Sequence, residues 1–159
     1  MQLKPETKTK IKALLERYPQ RQATLLPVLH LVQEDFGYLS DEVEELVAKE
    51  LDIPRAAVSE VVTFYTMFYR EPIGKYHIMA CHNLSCTLMG AEKLIQHLEH
   101  RLGVKSKAPL GETTEDRRFT LTRVECLGAC GEAPMMQIND KYHLNLTIEK
   151  IDKILEELP

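Results

Sequence analysis

Between Ile11 and Tyr65 the apolar residues return every three or four positions in four short runs, the spacing of one face of an α-helix. Ile11, Leu14, Leu15 and Tyr18 make the first run, and Pro19 stops it. Leu25, Leu26, Leu29, Val32 and Phe36 make the second, which ends in the glycine turn of "FGYLS". Ser40 and Asp41 open a third, with Val43, Leu46, Val47 and Leu51 inward. Pro54 falls in the first turn of a fourth that carries Val58, Val61, Val62 and Tyr65. Four short amphipathic helices on short connections predict a small bundle.

The period changes after "REPIGK", residues 70–75, where a proline and a glycine interrupt the pattern. "YHIMA" reads as a short strand. Leu88, Ala91, Leu94, Ile95, Leu98 and Leu102 then form a helical stripe that Gly103 stops. Residues 104–118 are a polar connection. "FTLTRVEC" is strand-like, although its alternation slips between Leu121 and Val124, as in a strand covered on both faces or one with a bulge. "MMQI" and "YHLNL" flank Asn139-Asp140, a hairpin signal, and Tyr142, Leu144 and Leu146 alternate. Thr147 caps a last helix whose Ile148, Ile151, Ile154, Leu155 and Leu158 face inward. The expected class is α+β: a helical bundle over residues 1–72, followed by an α/β domain over residues 73–159.

A strand, a helix and a second strand joined by so long a connection predict a right-handed crossover between parallel strands. All four cysteines of the chain sit in two tight pairs, Cys81 with Cys86 in "CHNLSC" and Cys126 with Cys130 in "CLGACG". The first pair follows the first strand, and Cys126 ends the second. Parallel strands would bring both carboxyl ends to one sheet edge, where α/β proteins tend to place ligands.

Composition narrows the chemistry. At 159 residues with 44% apolar and 28% charged residues, the chain is long enough and apolar enough to fold around a core. A net charge of −4 argues against general attraction to nucleic acid or anionic lipid. The N-terminus "MQLKPETKTK" has no apolar signal region, and no run reaches the roughly 18 apolar residues of a membrane span. In a reducing cytoplasm, paired cysteines point to metal binding or redox chemistry and not to structural disulfides. No Ser/His/Asp set, phosphate-cradling loop or G-x-G-x-x-G is present, so the chain is not expected to bind a nucleotide.

Four converging thiols suit three chemistries. A structural zinc takes four thiolates through turns with two to four residues between ligands, and these spacings allow it. A dithiol enzyme favours C-x-x-C at a helix start, unlike the C-x4-C here, and needs one pair only. A [2Fe–2S] cluster takes two thiolates on each iron, which accounts for both the pairing and the distance between pairs. Cys86 is expected at a helix start, with the free N–H groups of Thr87 to Gly90 aimed at the sulfur atoms. Gly128 and Gly131 are expected to turn the second loop with positive φ. His82 reads as a loop residue, since the second loop holds no histidine for a Rieske site. His30, on a helix face, and His77 and His143, on strands, read as packed or solvated.

"IPRAAVSEVVTFYTMF", "PIGKYHIMACHNLSCTLMGA" and "VECLGACGEAPMMQIND" resemble the thioredoxin-like [2Fe–2S] family found as the E subunits of bacterial NADH:quinone oxidoreductase (respiratory complex I). The likeness runs over nearly the whole chain. It implies a thioredoxin-like α/β domain with Cys81, Cys86, Cys126 and Cys130 as ligands of one [2Fe–2S] cluster. It implies an electron-transfer role beside a flavoprotein subunit that binds NADH, FMN and a [4Fe–4S] cluster, with the helical half clasping that partner. Such a subunit would be cytoplasmic, held at the inner membrane only through its parent complex. The same module serves NAD-linked hydrogenases and formate dehydrogenases. Pro134 resembles the proline that this fold holds cis. In "TTEDRRF" the family leads one to expect a glycine that this chain lacks.

Overall fold

A computed structural model describes residues 2–107 and 110–159, and by backbone contacts the chain divides into two compact units, Met1–Pro72 and Ile73–Pro159. Residues 108 and 109, within the predicted polar connection, lie outside the described residues.

The first unit holds α1 (Pro5–Arg17), a 3-10 turn (Arg21–Thr24), α2 (Leu25–Phe36), α3 (Asp41–Leu51) and α4 (Arg55–Phe64). Helix α1 ends because Tyr18, ahead of Pro19, is forced into extended backbone. Gly37 closes α2 in the left-handed region at φ 82°, with its N–H on the Gln33 carbonyl. The Ser40 hydroxyl caps α3 by accepting from the Val43 N–H. Pro54 sits one position earlier than expected: it is the cap of α4, extended at ψ 139°, and its carbonyl accepts from the Ala57 N–H. Ile11, Leu25, Leu29, Val43, Leu51 and Val58 lie in one closed core, each worth about 1.5–3 kcal/mol of burial.

A carboxylate interrupts that core. Glu44 is fully buried, 2.5 Å from the Ser59 hydroxyl and 3.6 Å from both Arg55 and Arg70. Nothing in "DEVEEL" marks Glu44 as buried. The segment after α4 is fixed by Gln33, whose amide donates to the Met67 carbonyl and whose carbonyl oxygen accepts from the Tyr69 N–H.

The second unit holds β1 (Tyr76–Cys81), α5 (Leu84–Leu88), α6 (Ala91–Leu102), β2 (Glu112–Thr113), β3 (Phe119–Val124), a 3-10 turn (Cys130–Glu132), β4 (Met136–Ile138), β5 (Lys141–His143) and α7 (Ile148–Glu157). The sheet order is β2-β3-β1-β4-β5. β1 and β3 are parallel in register from Tyr76 opposite Phe119 to Cys81 opposite Val124, and the other pairings are antiparallel. Ile78, Leu121 and Met136 pack against Leu94, Ile95 and Leu98 of α6 and Ile151 of α7.

On the other face, β3 is met by Leu110 of the crossover connection and by Gly74 ahead of β1. Thr122 Oγ1 donates to the Leu110 carbonyl and lies 2.8 Å from His77 Nε2, and Thr120 Oγ1 accepts from the Gly74 N–H at 2.7 Å. Both faces of β3 are therefore buried over its first four residues, and the alternation slips beyond them, where half-buried Arg123 pairs with Glu92 of α6. Gly111, at φ 81°, makes this burial possible: a Cβ there would stand 1.9 Å from the Leu121 carbonyl oxygen.

Three local expectations are corrected. The stripe assigned to one helix is broken at Gly90, φ 92°, and Leu88 is exposed on the short α5. β5 stops at His143 and Asn145 turns at φ 48°, so Leu144 and Leu146 do not extend the strand. Ile148 is exposed at the start of α7. In "TTEDRRF" the positive φ that a glycine would suit is taken by Arg117 at 55°, in the turn joining β2 to β3.

Replacing Gly111 with alanine should cost about 2–4 kcal/mol, because the clash is with backbone and the φ is unfavourable; urea unfolding would show a midpoint shift, and an unchanged midpoint would contradict the close approach. Burial lowers His77 to about 4 from 6.5. The unfolded chain therefore takes up a proton below pH 6.5 that the folded chain refuses. Stability, complete above that pH, should fall toward pH 4 by on the order of 2–3 kcal/mol, and His77→Gln should flatten this part of the profile.

Candidate metal centre

The parallel register fixes where the cysteines meet. Cys81 is the last residue of β1, and the ladder runs one step further through the His82 N–H to the Val124 carbonyl at 3.1 Å. The loops that leave both strands thus start side by side. Cys86 returns on α5, and Cys126 and Cys130 flank a turn made by Gly128 at φ 81°. The Cys81 N–H donates to the Met135 carbonyl at 3.3 Å, which sets the segment after Pro134 against the first loop. The Ala133-Pro134 bond is cis, as the resemblance implied.

The two pairs differ in exposure. Cys81 and Cys86 are buried among Ala91, Ala133 and Met135, whereas Cys126 and Cys130 are exposed, and all four thiols are free. The Cys126 and Cys130 sulfurs lie 3.7 Å apart. Two thiolates on one tetrahedral metal at 2.3 Å bonds would stand about 3.8 Å apart, so this pair already has the bite of a single metal. The Cys86 thiol is pushed up to about 11, chiefly by loss of water, with a hydrogen bond to Cys81 and negative charge on Cys81 and Cys130 adding to the rise and a backbone hydrogen bond from Met135 opposing it. The influence of Cys130 on Cys86 places the second pair in electrostatic reach of the first. Among the described residues no three His, Cys, Asp or Glu side chains gather in a way that would hold one metal ion. The donors stand as two couples, one buried and one exposed.

The expected donors to sulfur are not those found. Cys86 lies inside α5, and the N–H groups of Thr87, Met89 and Gly90 are taken by the carbonyls of Asn83, Ser85 and Thr87. Hydrogen bonds to sulfur come instead from the Gly128 N–H to Cys126, at 3.4 Å, and from the Met135 backbone to Cys86. Gly131 lies in a 3-10 turn without positive φ. His82 lies in the loop, its Nε2 3.6 Å from Glu125. His30 stacks on Phe68, and His143 is half-buried on β5. Tyr142 was legible only as an alternating strand residue, yet its hydroxyl donates to the Leu127 carbonyl at 2.8 Å and steadies the second loop.

Residues 11–159 match the sequence model of the thioredoxin-like [2Fe–2S] ferredoxins. The chain belongs to that family. It is 47% identical over 146 residues to the E 2 subunit of NADH-quinone oxidoreductase from Rhizobium meliloti (strain 1021), covering 92% of this chain and 84% of that one. It is 42% identical over 147 residues to the E subunit of the NADH-quinone oxidoreductase of Rickettsia felis, covering 91% and 86%. The crystal structure of an NAD+-reducing [NiFe]-hydrogenase in the air-oxidised state shares the fold, with a TM-score of 0.70 at 22% identity over 86% of this chain and 23% of that one. No helix among the described residues is long and apolar enough to cross a membrane.

In the metal-free chain, alkylation at pH 8 followed by mass spectrometry should label Cys126 and Cys130 first and Cys86 last. Two units of pKa reduce the Cys86 thiolate roughly a hundredfold, before burial slows reagent access. Equal labelling of all four would contradict the asymmetry.

Proposed function

We propose that this thioredoxin-like [2Fe–2S] protein is the electron-transfer subunit of an NADH:quinone oxidoreductase. Cys81 and Cys86 would hold one iron of the cluster, and Cys126 and Cys130 the other. The observation that carries this reading is that β1 and β3 end in register, so that the loops bearing the two thiol couples leave the sheet side by side. The names of the curated relatives support the parent complex.

A cluster bound there accepts and releases one electron at a time. The chain's residues give that site a closed side and an open side. Cys81 and Cys86, buried with Ala91 and Met135, keep water from one couple. Cys126 and Cys130 face outward, where a partner can approach. Leu84, Leu88 and Met89, exposed around Cys86 in sequence, supply an apolar rim of the kind that protein contacts cover. The partner is the flavoprotein subunit that carries NADH, FMN and a [4Fe–4S] cluster, and the electron passes between its flavin and this chain. Residues 1–72 form the docking unit, with Phe64 and Met67 exposed beyond the core of that bundle, and residues 73–159 form the cluster domain. The protein is then cytoplasmic and peripheral to the inner membrane through its complex.

Cys126→Ala should lose or badly destabilise the cluster, with iron and acid-labile sulfide falling well below the parent, whereas His82→Ala should retain both. Normal iron and sulfide in the cysteine variant would overturn the ligand assignment. A tagged chain purified from its host should bring down the NADH- and FMN-binding subunit of a quinone-reducing complex. Recovery with hydrogenase or formate dehydrogenase subunits instead would overturn the choice of complex.

A further inference from the structure

The second cysteine pair poses a mechanical problem. It lies on an exposed loop outside the main cores, two residues beyond the end of β3, and yet it must keep a fixed relation to a buried pair forty residues earlier. Leu127 and Ala129 pack against the buried pair, and one polar side chain also ties the two loops together. Asn83 Oδ1 accepts from the Leu84 N–H at 2.8 Å and caps α5, the helix that carries Cys86. The same amide donates through Nδ2 to Glu125 Oε2 at 3.1 Å, and Glu125 is the residue directly before Cys126. The other Glu125 oxygen faces His82 Nε2 at 3.6 Å, beyond hydrogen-bond length.

We propose that Asn83 and Glu125 form a strut that holds the second cysteine loop against the first, making both of them positioning residues for the metal centre. Neither residue is a ligand. Each acts through the loop it belongs to: Asn83 through the cap of α5, Glu125 through the backbone of Cys126. The strut is a hydrogen bond from an amide to an exposed carboxylate, where water screens most of the charge. It spans a gap that the β1–β3 ladder leaves open, because that ladder ends with the His82 N–H. This inference rests on the [2Fe–2S] reading above.

The test separates the strut from the cap and from the charge. Asn83→Ser keeps a capping oxygen for Leu84, but its hydroxyl is one bond shorter than the amide and falls short of Glu125. Glu125→Ala removes the acceptor, and Glu125→Gln keeps an acceptor oxygen while removing the charge that faces His82. The cluster-loaded full chain is challenged with an iron chelator, and the loss of visible absorbance is followed. Asn83→Ser and Glu125→Ala should each lose the cluster roughly three- to tenfold faster than the parent, as expected for one lost hydrogen bond. Glu125→Gln should stay close to the parent, and the double variant Asn83→Ser/Glu125→Ala should be no faster than either single one. Parent-like rates in both single variants, or effects that multiply in the double, would overturn the strut.

Should a variant fail to take up a cluster, amide hydrogen exchange of residues 126–130 in the metal-free full chain gives the same decision. Faster exchange in Asn83→Ser and Glu125→Ala, with Glu125→Gln unchanged, supports the strut, and parent-like exchange in all three overturns it. A parent chain without iron and sulfide would refute the cluster reading, while the exchange comparison would still decide the strut.

Discussion

Parallel pairing of β1 with β3 is the constraint on which the rest of the second unit depends. Because Cys81 stands opposite Val124, both strands end at one level, and the two loops that follow must leave the sheet together. An antiparallel pairing would send those loops to opposite ends and part the thiols by the length of a strand. The long helical crossover that parallel strands require therefore also brings distant cysteines together. The crossover's return segment is also fixed to β3, with Gly111 pressed on the Leu121 carbonyl and the Leu110 carbonyl accepting from Thr122. β1 and β3 are buried on both faces over most of their length, and their carboxyl ends carry the cysteine loops.

At that edge the protein divides its thiols by environment. One couple is packed among alanines and Met135, and the other lies on a loop held by Tyr142, by Gly128 and by the Asn83–Glu125 contact. A one-electron carrier needs both conditions: shielding, so that charge is not dissipated into water, and an open flank, so that the donor or acceptor comes close. Hydrogen bonds to sulfur and solvent exposure are among the levers on cluster potential. Here the N–H donors come from the second loop and from the Met135 backbone, and not from a helix terminus.

Much of the fold was legible because periodicity and punctuation agree. The stripes of α1 to α4, the Ser40 and Thr147 caps, the Gly37 and Gly103 stops and the parallel crossover all follow from residue types at known offsets. The meeting of the cysteine segments followed from topology, since it requires only that two strand ends share an edge. What stayed hidden depends on tertiary partners. Glu44 sits in an acidic run that reads as solvent-facing, and it is buried only because Ser59, Arg55 and Arg70 converge on it. Leu88 continues an apolar stripe on paper, but Gly90 at positive φ rotates it out of register. The donors to sulfur were misplaced for a related reason: α5 begins at Leu84, two residues before Cys86, so its first-turn N–H groups are already behind the thiol. The Asn83–Glu125 contact joins residues 42 apart, and no local pattern announces it.

The central claim is that two thiol couples hold a pair of bridged irons. Iron, zinc and acid-labile sulfide content of the purified full chain, taken with an electron paramagnetic resonance spectrum after reduction, tests it most directly. A red-brown protein with about two irons and two sulfides per chain, giving a one-electron paramagnetic signal on reduction, is the expected result. A colourless protein with about one zinc per chain, no sulfide and no signal would contradict it.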